Sequence, residues 1–227
     1  MGRLQRIPVS AEAVAQADRS AADRASLLER VALGLAHEGK NPLHNMVLHV
    51  QLLAEKLAQP DRSTGSPPDK HLAALRSGIS RVDGLLRAFG EFAVPEHLEP
   101  DLGAAVARCV QLLTYEARRA GVQLHSQGPE ALLVAADPRV LTDLVAHALV
   151  ASLELVRDGG EVSLTLRTRP AAAELELRAA GGVGRPEDAA RHVDALRRLA
   201  GPSGCELSVE TPPSGGARFT LSFALSR

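Results

Sequence analysis

The 227-residue sequence predicts an α+β protein: an antiparallel helical hairpin that pairs into a dimeric four-helix bundle, followed by an α/β sandwich. Three observations predict it. Residues 70–93 place apolar side chains at Leu72, Leu75, Ile79, Val82, Leu86, Phe89 and Ala93, the alternation of three and four that marks a bundle seam. The stretch AQPDRSTGSPPD (58–69), dense in Pro, Gly, Ser and Asp, separates that segment from an equally helical run over 20–57, so the two helices fold back on each other. Beyond VPEHLEP (94–100) the pattern changes to helices interleaved with short alternating strands. The expected divisions are a polar segment at 1–19, the hairpin at 20–94 and the sandwich at 95–227. A hairpin with such a seam buries little alone, and pairing with a second copy covers it.

Within this plan Ser20 and Asp23 read as cap and first-turn residues of the first helix. The segment 101–121 is helical and is stopped by Gly121. VQLHS and LLVAA read as strands around QGPEA. Asp137 and Pro138 open a helix over 137–156 as cap and first residue. EVSLTLRT and AAELELRAA alternate cleanly and read as neighbouring strands. PEDAARHVDALRRLAG is a helix, and CELSVET, PPSGG and ARFTLSFAL read as strand, turn and strand.

Composition excludes several functions. With 26 basic and 27 acidic residues, the formal charge of −1 gives no long-range attraction to nucleic acid or an acidic membrane. Aromatic residues at 2% leave few rings for stacking on bases. Cys109 and Cys205 lack CxxC spacing and read as buried thiols rather than metal ligands or a disulfide. No apolar run reaches membrane-spanning length and the N-terminus lacks the apolar core of a signal peptide, so a cytoplasmic protein is expected.

The chemistry concentrates in HEGKNPL (37–43). A His-Glu pair on a helix suggests a zinc peptidase, but that motif needs a second His where Asn41 stands, and neither His44 nor His49 restores the spacing. His37, Asn41 and His44 instead share one face of the helix. Pro42 has no amide for the carbonyl of Glu38, so a bend is expected there. An exposed imidazole beside a carboxylate is a reachable nucleophile with a local proton acceptor.

LAHEGKNPLHNM resembles the H-box of two-component sensor histidine kinases, in the His-Glu-x-x-Asn-Pro-Leu variant. DLGAAVARCVQLLTYEARRAGVQL and LLVAADPRVLTDLVAHALVASLELV resemble that family's nucleotide domain, which has the Bergerat fold. The resemblance covers nearly all of the chain. It implies that His37 carries a phosphoryl group on its distal ring nitrogen, that Glu38 is its acid–base partner, and that Asn41 orients a water in the phosphatase direction.

The family's three nucleotide signatures are missing. Ala151 stands where an Asn should hold Mg²⁺, and His147 occupies the preceding Asn position. Ala179, the first residue of AAGGVG where the family has Asp-x-Gly-x-Gly, stands where an Asp should meet the adenine amine. The glycine-rich lid is absent. GGVG (181–184) reads as a turn rather than a phosphate loop. The domain is therefore expected to be a degenerate Bergerat-type sandwich with no intrinsic cofactor, Mg²⁺ being supplied by the receiver domain of a partner response regulator. The expected function is a dimeric histidine phosphotransferase that passes phosphoryl groups to or from receiver aspartates without ATP. A response-regulator phosphatase and a docking scaffold are the alternatives, and an active kinase ranks last. Lys40, Leu43, His44 and Val47 are the expected docking neighbours.

Overall fold

The computed structural model describes residues 11–58, 68–182, 184–212 and 216–226. Most of the expected connecting loop, most of the PPSGG turn, Val183 of GGVG and the first ten residues lie outside the described residues.

Helix α1 (Ala11–Ala58) is a single 48-residue helix and begins at Ala11 rather than at 20. Ser20 and Asp23 therefore lie inside it instead of capping it. The physical reason is the run AEAVAQADRSAADR, polar overall but rich in alanine, the strongest helix former. The helix continues through Pro42, whose ring is buried in the hairpin. Packing there offsets the lost backbone hydrogen bond.

Helix α2 (Pro68–Ala93) returns along α1. Its seam divides into two faces. Leu75, Val82 and Phe89 are half-buried inside the protomer, whereas Leu72, Ile79 and Leu86, each seven apart, are 45%, 60% and 57% exposed. On α1, Leu43, Val47 and Val50 are about as exposed, and Leu57 more so.

Helix α3 (Leu102–Arg119) is capped by Asp101, whose carboxylate accepts from the amides of Ala104 and Leu132. Gly121, at φ +67, ends that segment in the left-handed region. Then come β1 (Gln123–Gln127), α4 (Pro138–Leu155), β2 (Glu161–Thr168), β3 (Ala172–Ala180), α5 (Pro186–Ala200), β4 (Glu206–Glu210) and β5 (Ala217–Ala224). Asp137 caps α4 as expected, accepting from the amides of Arg139 and Val140 at 2.9 and 3.0 Å. The sheet runs β1-β2-β3-β5-β4, with β1 parallel to β2 and every other pair antiparallel.

LLVAA is not a strand. Leu133 and Val134 form only isolated bridges, to Asp101 and Leu225. The amides of Leu132 and Val134 go instead to the Asp101 carboxylate and the Pro100 carbonyl, so no ladder extends.

Helices α3, α4 and α5 cover one face of the sheet, meeting the buried residues of β2, β3 and β5. Helix α4 is buried almost all round and forms the centre of the core. The outer sheet face is polar; there Glu176 accepts from Arg178 at 2.7 Å, with Arg218 and Arg167 within 4 Å. Cys109 and Cys205 are buried free thiols, and burial pushes both up to about 12.

The two halves share one core. Leu27, Val31, Ala88 and Phe92 of the hairpin join α3 and α4. Phe92 has no exposed surface, Arg24 lies 4.8 Å from its ring centre, and the same guanidinium bonds the Phe92 carbonyl and the Asp143 carboxylate. Truncating a fully buried Phe costs about 3–5 kcal/mol. Phe92→Ala is accordingly expected to lower stability by that amount in urea unfolding, and to separate a hairpin transition from a sandwich transition.

Candidate functional site

His37 is exposed on α1, and its imidazole lies flat on the ring of Tyr115 from α3, with centroids 4.5 Å apart and planes 4° from parallel. Gly34, one turn earlier, permits the approach. A Cβ there would stand 3.3 Å from the Leu112 carbonyl, so the two helix backbones come close. Asn41 and His44 are exposed as expected and continue the stripe of His37 at spacings of four and three; Leu48, 47% exposed, extends it by a turn. Leu43 and Val47 lie instead in an apolar groove of about 680 Å³ formed with Leu35, Val82 and Leu86. Lys40 and His44 edge that groove too, so His44 lies between the two surfaces.

Glu38 turns the other way. Its side chain is only 8% exposed, and its two oxygens accept from Arg81 of α2 and Arg118 of α3, each at 3.0 Å. Both arginines are more than half exposed, so the carboxylate gives up water while its partners keep theirs. A buried carboxylate needs such compensation to stay folded. The expected His37–Glu38 relation is thus adjacency in sequence, with the carboxylate engaged elsewhere.

The positions that the resemblance sets against nucleotide signatures hold alanines. Ala151 is fully buried in α4, and Ala179 is buried within β3, paired with Val162 and Ala217. His147 meets His192 of α5 with Nδ1 atoms 2.9 Å apart, which joins α5 directly to α4. Helix α1 closes the same side, with Asp23 bonded to Arg198 at 2.6 Å and Arg24 bonded to Asp143. A cleft of about 320 Å³ remains between α1, α4 and α5, walled by these charged pairs. In the GGVG stretch, a Cβ on Gly182 or Gly184 would stand 2.1 or 2.0 Å from carbonyl oxygens of Arg157 and Leu155. Those glycines fit the turn against the end of α4. Among the described residues no three His, Cys, Asp or Glu are grouped to hold a metal, and no helix is long and apolar enough to cross a membrane.

Sequence reasoning missed Tyr115, Arg81, Arg118 and the Asp23–Arg198 and Arg24–Asp143 pairs. The available signal was Tyr115 itself, the single tyrosine of a chain poor in aromatics, one helical turn before Arg118.

A helical hairpin bearing HEGKNPL, followed by an α/β sandwich with the central helix 138–155, is the layout of a two-component histidine kinase core, which the chain resembles. The chain is 21% identical over 176 residues to sensor protein CopS of Pseudomonas syringae pv. tomato, a match covering 74% of this chain. It spans about a third of that relative's length, 34%. No family model matches. Similar solved structures include a bacterial phosphotransferase (14% identity, 95% of this chain and 98% of that one, TM-score 0.47). They also include the catalytic domain of histidine kinase ThkA (13%, 55% and 94%, TM-score 0.48). A third is the blue-light activated histidine kinase EL346 of Erythrobacter litoralis (21%, 70% and 60%, TM-score 0.47).

Burial holds His147 and His192 below the ordinary imidazole range, at about 4 and about 3, each also opposed by neighbouring arginines. Burial pushes Asp143 up to about 6 against the pull of Arg24. The imidazoles stay neutral when folded and take protons when unfolded, so their stability falls as pH drops from 6.5 toward 4. Asp143 acts oppositely, gaining stability as pH falls through 6 toward 3.8, but it is one group against two. Net loss of stability on acidification between pH 6.5 and 4 is expected, at on the order of 1 kcal/mol per pH unit per unbalanced proton. His192→Gln should cost stability at pH 7.5, and its deficit relative to wild type should shrink at pH 5 in urea titrations.

Proposed function

We propose that this chain is a histidine phosphotransferase of two-component signalling, in which His37 exchanges a phosphoryl group with receiver-domain aspartates of response regulators and ATP takes no part. The observation that carries the reading is a contrast within one molecule. His37 is exposed on the helix that bears the H-box-like motif, while the positions equivalent to the nucleotide ligands hold buried alanines under a closed α4–α5 contact.

In the transfer step a neutral ring nitrogen of His37 attacks the phosphorus of an aspartyl phosphate. The N–P bond forms, the acyl P–O bond breaks, and the receiver carboxylate leaves with the electron pair. The receiver brings Mg²⁺ and the acidic pocket, so the phosphotransferase supplies a placed imidazole and a docking surface. The stripe of His37, Asn41, His44 and Leu48 is that surface, with Leu48 as its apolar contact. Glu38, gripped by Arg81 and Arg118, holds the helix in register. Asn41, exposed one turn from His37, favours a phosphatase as the second reading.

The apolar stripe of Leu43, Val47, Val50 and Leu57 with Leu72, Ile79 and Leu86 joins two copies into a four-helix bundle. Exposed seams repeating every seven residues are covered this way. His37 lies beside that interface and remains open to a partner.

Incubation with a labelled phospho-receiver is expected to transfer label to the chain, His37→Gln to abolish transfer, and ATP with Mg²⁺ to give no self-labelling. Self-labelling from ATP would overturn the reading. Loss of receiver label without a labelled intermediate, stopped by Asn41→Ala but not by His37→Gln, would establish the phosphatase. Val47→Asp with Ile79→Asp is expected to convert a dimer to a monomer by light scattering, each buried charge costing several kcal/mol.

A further inference from the structure

We propose that Tyr115 is a positioning residue for phosphoryl transfer at His37, supplied by α3 of the second half; this rests on His37 being the phosphoacceptor. An exposed imidazole samples several rotamers, whereas in-line attack on phosphorus requires a ring nitrogen aimed at one point. The Tyr115 ring covers one imidazole face at 4.5 Å with planes 4° apart. Contact over a face leaves the ring edge, where both nitrogens lie, uncovered. The stack therefore restricts the ring's rotation without shielding its reacting atoms.

The platform is itself fixed. Tyr115 and Arg118 lie one turn apart on α3, as His37 and Glu38 lie side by side on α1. The stack from 37 to 115 and the ion pair from 38 to 118 at 3.0 Å are thus two cross-links between the same helices. Gly34 sets their separation, since a Cβ there would stand 3.3 Å from the Leu112 carbonyl and 3.8 Å from the Tyr115 Cβ. Two cross-links at one level oppose rotation of α1 about its axis, which a single contact would not. Aromatic pairs in such stacked contact attract beyond simple burial, enough to favour one rotamer. A sandwich with alanines at its ligand positions thereby still serves the phosphoacceptor ring, which it holds from the side.

Wild type, Tyr115→Phe and Tyr115→Leu of the full chain separate this from plain packing. Three readouts are compared: ring-current shifts of the His37 ring protons by NMR, the rate of phosphohistidine formation from phosphoramidate, and the rate and KM of label transfer from a phospho-receiver. With phosphoramidate the His37 nitrogen displaces ammonia from phosphorus, so no docking surface is involved. Tyr115→Phe is expected to keep the upfield shift and both rates. Tyr115→Leu is expected to lose the shift and slow both transfers about tenfold or more, with the receiver KM unchanged. Tyr115→Met replaces Tyr115→Leu should the latter fail to melt cooperatively. Loss of the shift with both rates at the wild-type level overturns the positioning role, as does absence of the shift in wild type. Failure of wild type to take phosphate from either donor overturns the phosphoacceptor reading instead, and the positioning role with it.

Discussion

The carboxylate of Glu38 is the point on which the arrangement depends. It belongs to α1, and its two oxygens are taken by one arginine from α2 and one from α3. A carboxylate withdrawn from water is costly unless its acceptor sites are filled, so the helices that fill them are held in one relative position. That position brings α3 close enough for Tyr115 to lie on His37. The exposed imidazole and the buried carboxylate are neighbours in the chain but opposite in environment, because a helix turns adjacent side chains about 100° apart.

The same logic extends along α1. Arg24 bonds Asp143 and the Phe92 carbonyl, Arg30 bonds Glu116 and Glu154, and Asp23 bonds Arg198. Apart from the Phe92 carbonyl, which belongs to α2, each partner ties the half of α1 preceding His37 to the sandwich. Buried ion pairs of this kind add little net stability relative to well-packed apolar residues, but they penalise every arrangement that breaks them. Together with the shared core around Phe92, they join the hairpin to the sandwich, with α1 packed on α3 and tied to α4 and α5 by ion pairs.

That packing leaves the sandwich with a filled core. Apolar and small residues fill the central helix at Ala151 and the third strand at Ala179, so neither carries a polar group needing a ligand. The His147–His192 contact pairs two imidazoles that would otherwise be buried alone. Arg191 Nε donates to His192 Nε2 at 3.2 Å, so neutral His192 carries its hydrogen on Nδ1 and donates it to His147 Nδ1, an arrangement that lasts while both rings stay uncharged. The sandwich thus supports its own core, and α3 carries its direct contacts to the H-box-like segment, through Tyr115 and Arg118.

The sequence by itself determined the α+β class, the hairpin, the cap at Asp137, the buried thiols and the exposure of His37, Asn41 and His44. These follow from local periodicity, capping chemistry and spacing along one helix, all readable within a few turns of chain. Three local readings gave way for physical reasons. Helix α1 starts early because alanine outweighs polarity, LLVAA spends its amides on chain crossings, and the α2 seam divides between an inner and an outer face. Only the tertiary structure decided where Glu38 points, which aromatic ring meets His37, and what closes the α4 side of the sandwich. The two arginines that hold Glu38 lie 43 and 80 positions away in the chain, and Tyr115 is similarly remote from His37. No pattern within a helix encodes such contacts, because long-range pairing depends on how the elements stack in three dimensions.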